Sequence, residues 1–107
     1  MKVLVGILAM FVLVSPASGQ TIPNLYGYVN DFADIISDKT ETDLDQWLHE
    51  YDQRTTNQLL VVTVTSLEGL TVDDYAAQLF TKAKPGQKGK NNGLIILIAL
   101  RERKMKI

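Results

Sequence analysis

Apolar residues recur along the chain in two distinct periods, and these divide it into elements. Between residues 38 and 55, Leu44, Trp47, Leu48 and Tyr51 fall at i, i+3, i+4 and i+7, one stripe of an amphipathic helix that packs inward. Ser37 offers a hydroxyl to the free N–H groups at its start, and Asp38 and Glu41 suit the positive end of its dipole. Thr56 and Asn57 close it, with Asn57 taking the left-handed turn that glycine otherwise supplies. A second stripe, Val72, Tyr75, Ala76, Leu79 and Phe80, predicts a helix over residues 71–82. Thr71 with Asp74 caps it, and Leu70 against Tyr75 forms a hydrophobic staple.

Residues 59–64 and 94–100 have no helical period; they are short, apolar at consecutive positions and rich in β-branched side chains, as in strands covered on both faces. Strand, helix and strand over this length predict a right-handed crossover between two parallel strands. After a turn at residues 101–103, Lys104 and Lys106 alternate with Met105 and Ile107, the pattern of a half-exposed antiparallel strand. Residues 20–30, with Pro23, Gly27 and two tyrosines, form a lead-in, and residues 28–36 begin extended and continue as a short helical turn near 31–36. The predicted class is α/β, with a small central sheet, a parallel β-α-β crossover, helices packed on the sheet and an antiparallel C-terminal edge strand. Two such helices give too little cover for a sheet that is apolar on both faces, so a domain truncated at its C-terminal end is expected.

The N-terminus reads differently from the rest. Lys2 leads into an apolar run over residues 3–14, followed by the small residues Ala17 and Gly19, which predicts a signal peptide at 1–19 and a mature domain at 20–107. The run falls short of the roughly 20 apolar residues of a membrane span, so no span is expected in the mature chain. The expected location is secreted or periplasmic, with a membrane anchor if the gene extends past residue 107. Cysteine is absent, which excludes disulfide staples and a cysteine-phosphatase mechanism.

The net charge of −1 conceals a division. Residues 20–81 hold eleven acids against Lys39 and Arg54, whereas residues 82–107 hold eight bases against Glu102. Such a split can steer an anion toward the C-terminal third, or can be neutralised when the halves fold together. An acidic balance with an exported location argues against nucleic acid as a partner.

Several segments, in order, resemble the TPM domain family, a phosphatase-like domain of a thylakoid-lumen repair protein, a nematode receptor modulator and many exported bacterial proteins. Residues 28–34, Tyr-Val-Asn-Asp-Phe-Ala-Asp, resemble its opening motif, and Ser37 its helix cap. Residues 56–59 and 61–64 resemble its turn and first strand; Tyr75, Ala76, Leu79 and Phe80 resemble its helix. Lys88, residues 91–94 and residues 102–107 resemble its glycine loop, second strand and acid-arginine hairpin. Asn57 stands where the family usually has glycine, the usual tryptophan near residues 83–85 is missing, and the later third of the domain is absent.

The resemblance implies either an acid-phosphatase-like activity on small phosphoesters or a non-catalytic module that assists assembly or turnover of membrane-protein complexes at the envelope. For hydrolysis, Asp31 and Arg103 are the candidate catalytic residues, with Ser66 and Arg101 binding substrate. The last three lie at the carboxyl ends of the predicted strands, where open parallel sheets gather their ligands. Arg101 and Arg103 can equally be solvated hairpin residues. Asn30, Asp31 and Asp34 are oxygen ligands in a non-periodic segment and fit a Ca²⁺ or Mg²⁺ site; Asp31 as a cap is the rival reading. Asp43 and Asp45, and likewise Asp73 and Asp74, read as charged helix faces, His49 as a solvated histidine. The loop at 82–93 reads as solvated, because a phosphate cradle follows a strand and opens a helix, and this loop does the reverse. With no nucleophile beside an evident base, the sequence favours the non-catalytic module.

Overall fold

The computed structural model describes residues 22–86 and 91–107. The expected signal peptide at 1–19 and the loop positions 87–90 lie outside the described residues. Four strands, β1 (Val29–Asp31), β2 (Gln58–Val64), β3 (Gly93–Ala99) and β4 (Lys104–Lys106), and two helices, α1 (Asp38–Thr55) and α2 (Val72–Ala83), follow in the order β1-α1-β2-α2-β3-β4. The sheet order is β1-β2-β3-β4; the first two pairs are parallel and β3–β4 is antiparallel. The predicted α/β class and crossover are therefore present, and residues 29–31 add a third parallel strand.

Both helices begin where the sequence places them. Ser37 Oγ accepts from the Thr40 N–H at 3.2 Å, and Thr71 Oγ1 from the Asp74 N–H at 3.1 Å. The end of α1 differs: Thr56, at φ 63°, takes the left-handed position, and Asn57 does not. The Thr56 N–H closes the last turn on Asp52 O at 2.7 Å. The pattern of side chains therefore found the helix, while the competition between two polar residues for the turn was decided by backbone hydrogen bonding.

Paired residues in neighbouring strands share a face, so the register sorts the sheet into two sides. On one side Leu60, Val62 and Val64 pair with Ile95, Leu97 and Ala99, and all six are buried against Leu67, Tyr75 and Leu79. Ile22, Leu25 and Tyr28 of the lead-in pack beside α2 on this core. On the other side α1 lies over β1 and β2, burying Leu48 and Val29. The expectation that both long strands are covered on two faces fails here, since Leu94 is 40% exposed and Ile96 and Ile98 are half-buried. Two members of the predicted stripes also lie outward: Trp47 is 55% and Phe80 43% exposed. Each stands one residue, about 100°, from a buried leucine, at the edge of its stripe.

Residues 31–36 form a turn rather than a turn of helix. Asp34, at φ 56°, donates its N–H to Asp31 O at 3.1 Å. Gly93 is obligatory at the start of β3, because a Cβ there would collide with the Pro85 and Gly86 backbone.

Candidate functional site

The opening segment around β1 is organised by its own polar side chains. Asn30 is fully buried; its Oδ1 accepts from the Tyr26 N–H at 2.8 Å and its Nδ2 donates to Gly27 O at 2.8 Å. The side chain thus replaces a missing strand partner for the lead-in, which crosses the sheet there. Asp31, the next residue, points to the opposite face. Its Oδ1 accepts from Thr63 Oγ1 at 2.6 Å and from the Ile35 N–H at 3.0 Å, and its Oδ2 accepts from the Ile36 N–H at 2.9 Å. Burial pulls the Asp31 carboxyl up, but the Thr63 hydroxyl and the N–H groups of Ile36, Ile35 and Asp34 outweigh it and hold it below the usual carboxylate range. Thr63 Oγ1 in turn accepts from the Ala33 N–H at 3.1 Å. Asp31, Thr63 and the turn at 32–36 form one closed network, and Asp34 stands exposed at its outer corner.

A second network lies between the lead-in and α1. Asp45 Oδ1 accepts from the N–H groups of Tyr28 at 2.9 Å and Val29 at 3.1 Å. This corrects its reading as part of a charged helix face: one carboxylate oxygen caps the entry to β1. Tyr28 Oη donates to Asp52 Oδ2 at 2.6 Å, and this bond, followed by burial and the Asp52 and Asp45 charges, pushes the phenol up to about 12. His49 is exposed and meets the Tyr28 ring edge-on at 5.6 Å.

The carboxyl ends of β2 and β3 hold the other candidates. Ser66 Oγ donates to Glu102 Oε2 at 3.3 Å and accepts from the Glu68 N–H at 2.9 Å. Glu102 Oε2 also accepts from the Leu67 N–H at 3.0 Å, which ties the β3–β4 turn to the loop after β2. Its other oxygen, Oε1, is buried with no hydrogen-bond partner among the described residues. An open cavity of about 300 Å³ borders this point, lined by Phe32, Thr65, Ser66, Glu68 and Tyr75 among others. Burial, and then the Glu68 charge, push the Tyr75 phenol up. Arg101 and Arg103 are exposed; the Arg101 N–H donates to Thr65 O at 3.0 Å, and Arg103, at φ 55°, occupies the left-handed corner of the turn.

Ser66, Glu102, Arg101 and Arg103 therefore belong to one end of the sheet, as expected. Asp31 lies at that same end but at the opposite edge of the sheet. It ends one edge strand and Arg103 precedes the other, three strand spacings or about 14 Å away across the sheet. Among the described residues no three histidine or acidic side chains converge as a metal site would require. The donors proposed for a cation, Asn30 and Asp31, spend their oxygens on the Tyr26 N–H and on the closed turn. Thr63 was not singled out by sequence, Asp45 was read only as part of a charged helix face, and Glu102 only as part of the acid-arginine hairpin. Of the three, Glu102 carries the clearest signal, a lone acid among bases in the turn after an apolar strand.

The sequence profile of the TPM domain matches residues 29–107. The chain belongs to the TPM domain family. Among solved structures, the solution NMR structure of the N-terminal domain of a protein from P. gingivalis is similar, with a TM-score of 0.66 and 24% identity. That match covers 74% of this chain and 50% of the other, so the TPM fold is seen here over about half the length of that neighbour. No curated protein matches the chain. The family assignment explains the opening motif in physical terms: in this TPM domain Asn30 and Asp31 hold the chain on two opposite faces of β1.

Proposed function

We propose that the chain is an exported TPM domain that acts as a non-catalytic module in the assembly or turnover of membrane-protein complexes at the envelope. The observation that carries this reading is the state of Asp31, whose two carboxylate oxygens both accept hydrogen bonds from its own turn and from Thr63. A residue so engaged is a brace, and its distance from Arg103 separates the two groups that hydrolysis would need together. Among the described residues no helix is long and apolar enough to cross a membrane, so the domain would meet such complexes from their aqueous side.

The second reading, an acid-phosphatase-like hydrolase of small phosphoesters, is favoured by the Ser66–Glu102 pair beside the cavity, a hydroxyl next to a carboxylate with arginines in the adjoining turn. The test is hydrolysis of p-nitrophenyl phosphate by the purified chain, with and without Ca²⁺ or Mg²⁺. No turnover above background is expected. Turnover lost in both Asp31→Asn and Arg103→Ala would establish the hydrolase instead. Calorimetric titration with Ca²⁺, repeated on Asp31→Ala, tests the metal site at Asn30, Asp31 and Asp34.

A further inference from the structure

Asn92 stands where the end of α1, the start of β2 and the start of β3 meet. Its side-chain Nδ2 donates to Thr56 O, the carbonyl just past the end of α1, and its own backbone carbonyl accepts from the Gln58 N–H at 2.8 Å. Gln58 also holds the near end of the loop that leads into β3, because its Oε1 accepts from the Gly86 N–H at 2.7 Å. The loop is thus docked on Thr56 and Gln58 at both of its ends.

Two constraints fix the dipeptide there. Position 92 needs a side chain that donates to Thr56 O, which asparagine supplies. Position 93 needs glycine, because a Cβ would run into the Pro85 carbonyl. Gly86, at φ 90°, closes the fit from the other side, since a Cβ on it would fall 2.7 Å from Asn92 Oδ1. The result is Asn92-Gly93, whereas Asn24, Asn30, Asn57 and Asn91 all precede other residues.

Asparagine is thermolabile, and a following glycine removes the side chain that would hinder ring closure. The Gly93 backbone nitrogen attacks Asn92 Cγ; the bond between them forms, the Cγ–Nδ2 bond breaks, and Nδ2 leaves as ammonia with the proton that the Gly93 nitrogen gives up. Water then opens the succinimide, at Cγ to give aspartate or at the backbone carbonyl to give isoaspartate. Water is the only co-reactant, and both residues are half-buried rather than sealed.

In the docked loop this ring is kept open. Turning Gly93 N toward Cγ rotates the Asn92 backbone and breaks the Gln58 bond to its carbonyl, and departure of Nδ2 gives up Thr56 O. Conversion also closes the way back. Aspartate sets a carboxylate against the Thr56 carbonyl, two acceptors with no proton between them, and isoaspartate adds a methylene to the main chain where Gly93 pairs with Gln58.

We propose that Asn92-Gly93 is a conformation-gated deamidation site, shut while the loop is docked on Thr56 and Gln58 and converted irreversibly when the starts of β2 and β3 part. The gate is built from residues 56–58, 85, 86, 92 and 93 of this chain and stands independently of the assembly-module reading.

The full chain is incubated in mildly alkaline buffer with and without urea, and each asparagine is followed by peptide mass spectrometry and by isoaspartate methyltransferase labelling. In urea Asn92 should convert faster than every other asparagine. In native buffer it should be slowed by about tenfold or more, since two hydrogen bonds must open first. Gln58→Ala removes the anchor at Gly86 and alters neither reacting residue, so it should speed native conversion several-fold. Asn30→Ala, which loosens the lead-in instead, is the comparison; an equal acceleration there means that conversion passes through global unfolding and overturns the gate. So does a native rate for Asn92 equal to its rate in urea, or a Gln58→Ala rate equal to that of the unaltered chain. Another asparagine leading in urea overturns the site itself. Asn92→Asp, which mimics one product, should lower the urea midpoint and raise hydrogen exchange at Gly86. Unchanged exchange there would show that the converted loop docks again and overturns the one-way gate.

Discussion

In β2 and β3, Leu60, Val62, Val64, Ile95, Leu97 and Ala99 are no more than 8% exposed, while the alternate residues of β3 retain solvent contact and Leu94 reaches 40%. The two sets have the same chemistry and differ in what lies above them. The closed face receives α2 and, beside it, the lead-in residues Ile22, Leu25 and Tyr28. Among the described residues, the other face receives α1 alone. Cover by one helix plus an extended strap closes β2 and β3 on that face, and cover by one helix does not close β3 on the other. The strap is held by side-chain bonds, from Asn30 to Tyr26 and Gly27 and from Asp45 and Asp52 to Tyr28.

Truncation of β3 residues separates the faces most strongly. Leu97→Ala on the closed face should cost about 2–5 kcal/mol in urea unfolding, since a fully buried leucine leaves a cavity. Ile96→Ala, one residue along and half-buried, should cost about half of that or less. Equal losses would mean that the second face is closed in solution.

The strap itself is the next largest target. Asn30→Ala leaves the Tyr26 N–H and Gly27 O without partners in a buried place, a loss of about 1–3 kcal/mol. It should also raise hydrogen exchange across residues 22–28 while exchange in α1 stays as before. A loss confined to α1 would show that the strap does not close the first face.

Tyr28 joins the two covers, and its phenol gives a pH signature. The folded value of about 12 lies above the ordinary 10, so the neutral form is favoured by folding. The stabilisation is complete below pH 10 and is lost as pH rises toward 12. Absorbance titration should show Tyr28 ionising late alongside buried Tyr75, together with loss of structure, and Tyr28→Phe should remove the Tyr28 share of this limb at a cost of about 1 kcal/mol near neutrality.

Much of this arrangement could be read from the residues. The bounds of α1, both N-caps, the parallel crossover and the antiparallel end strand followed from spacing, because the 3.6 and 2.0 periods and the hydroxyl caps are local. The unequal faces were not legible. Ile95 and Ile96 are identical side chains, and only register and the distant lead-in decide which is buried. At the candidate site, Ser66, Arg101 and Arg103 were placed together because strand ends are predictable from topology. The bracing role of Asn30, and the partnership of Asp31 with Thr63, 32 residues away, depend on a β1–β2 pairing that no local pattern announces.

Asp31 gives the smallest effect and the one most specific to the second face, because it adjoins Asn30 and points the opposite way. Its folded carboxyl sits below the usual range, so the charged form is favoured by folding. The stabilisation is present above the unfolded value near 3.9 and disappears as pH falls through the lower folded value. Asp31→Asn should therefore leave the alkaline limb set by Tyr28 untouched and flatten the acid limb below about pH 4. Near neutrality the loss should be about 1 kcal/mol, as for a lost capping side chain, because the Asn amide replaces one acceptor oxygen by a donor facing the Ile36 N–H, or the Ile35 N–H if the amide is turned over. Thr63→Val removes the other end of the same bond, and if the bond to Thr63 sustains the lowered carboxyl, the acid limb should flatten in that variant as well. An acid limb unchanged in both would transfer the pH dependence to other carboxylates and leave Asp31 as a brace of shape alone.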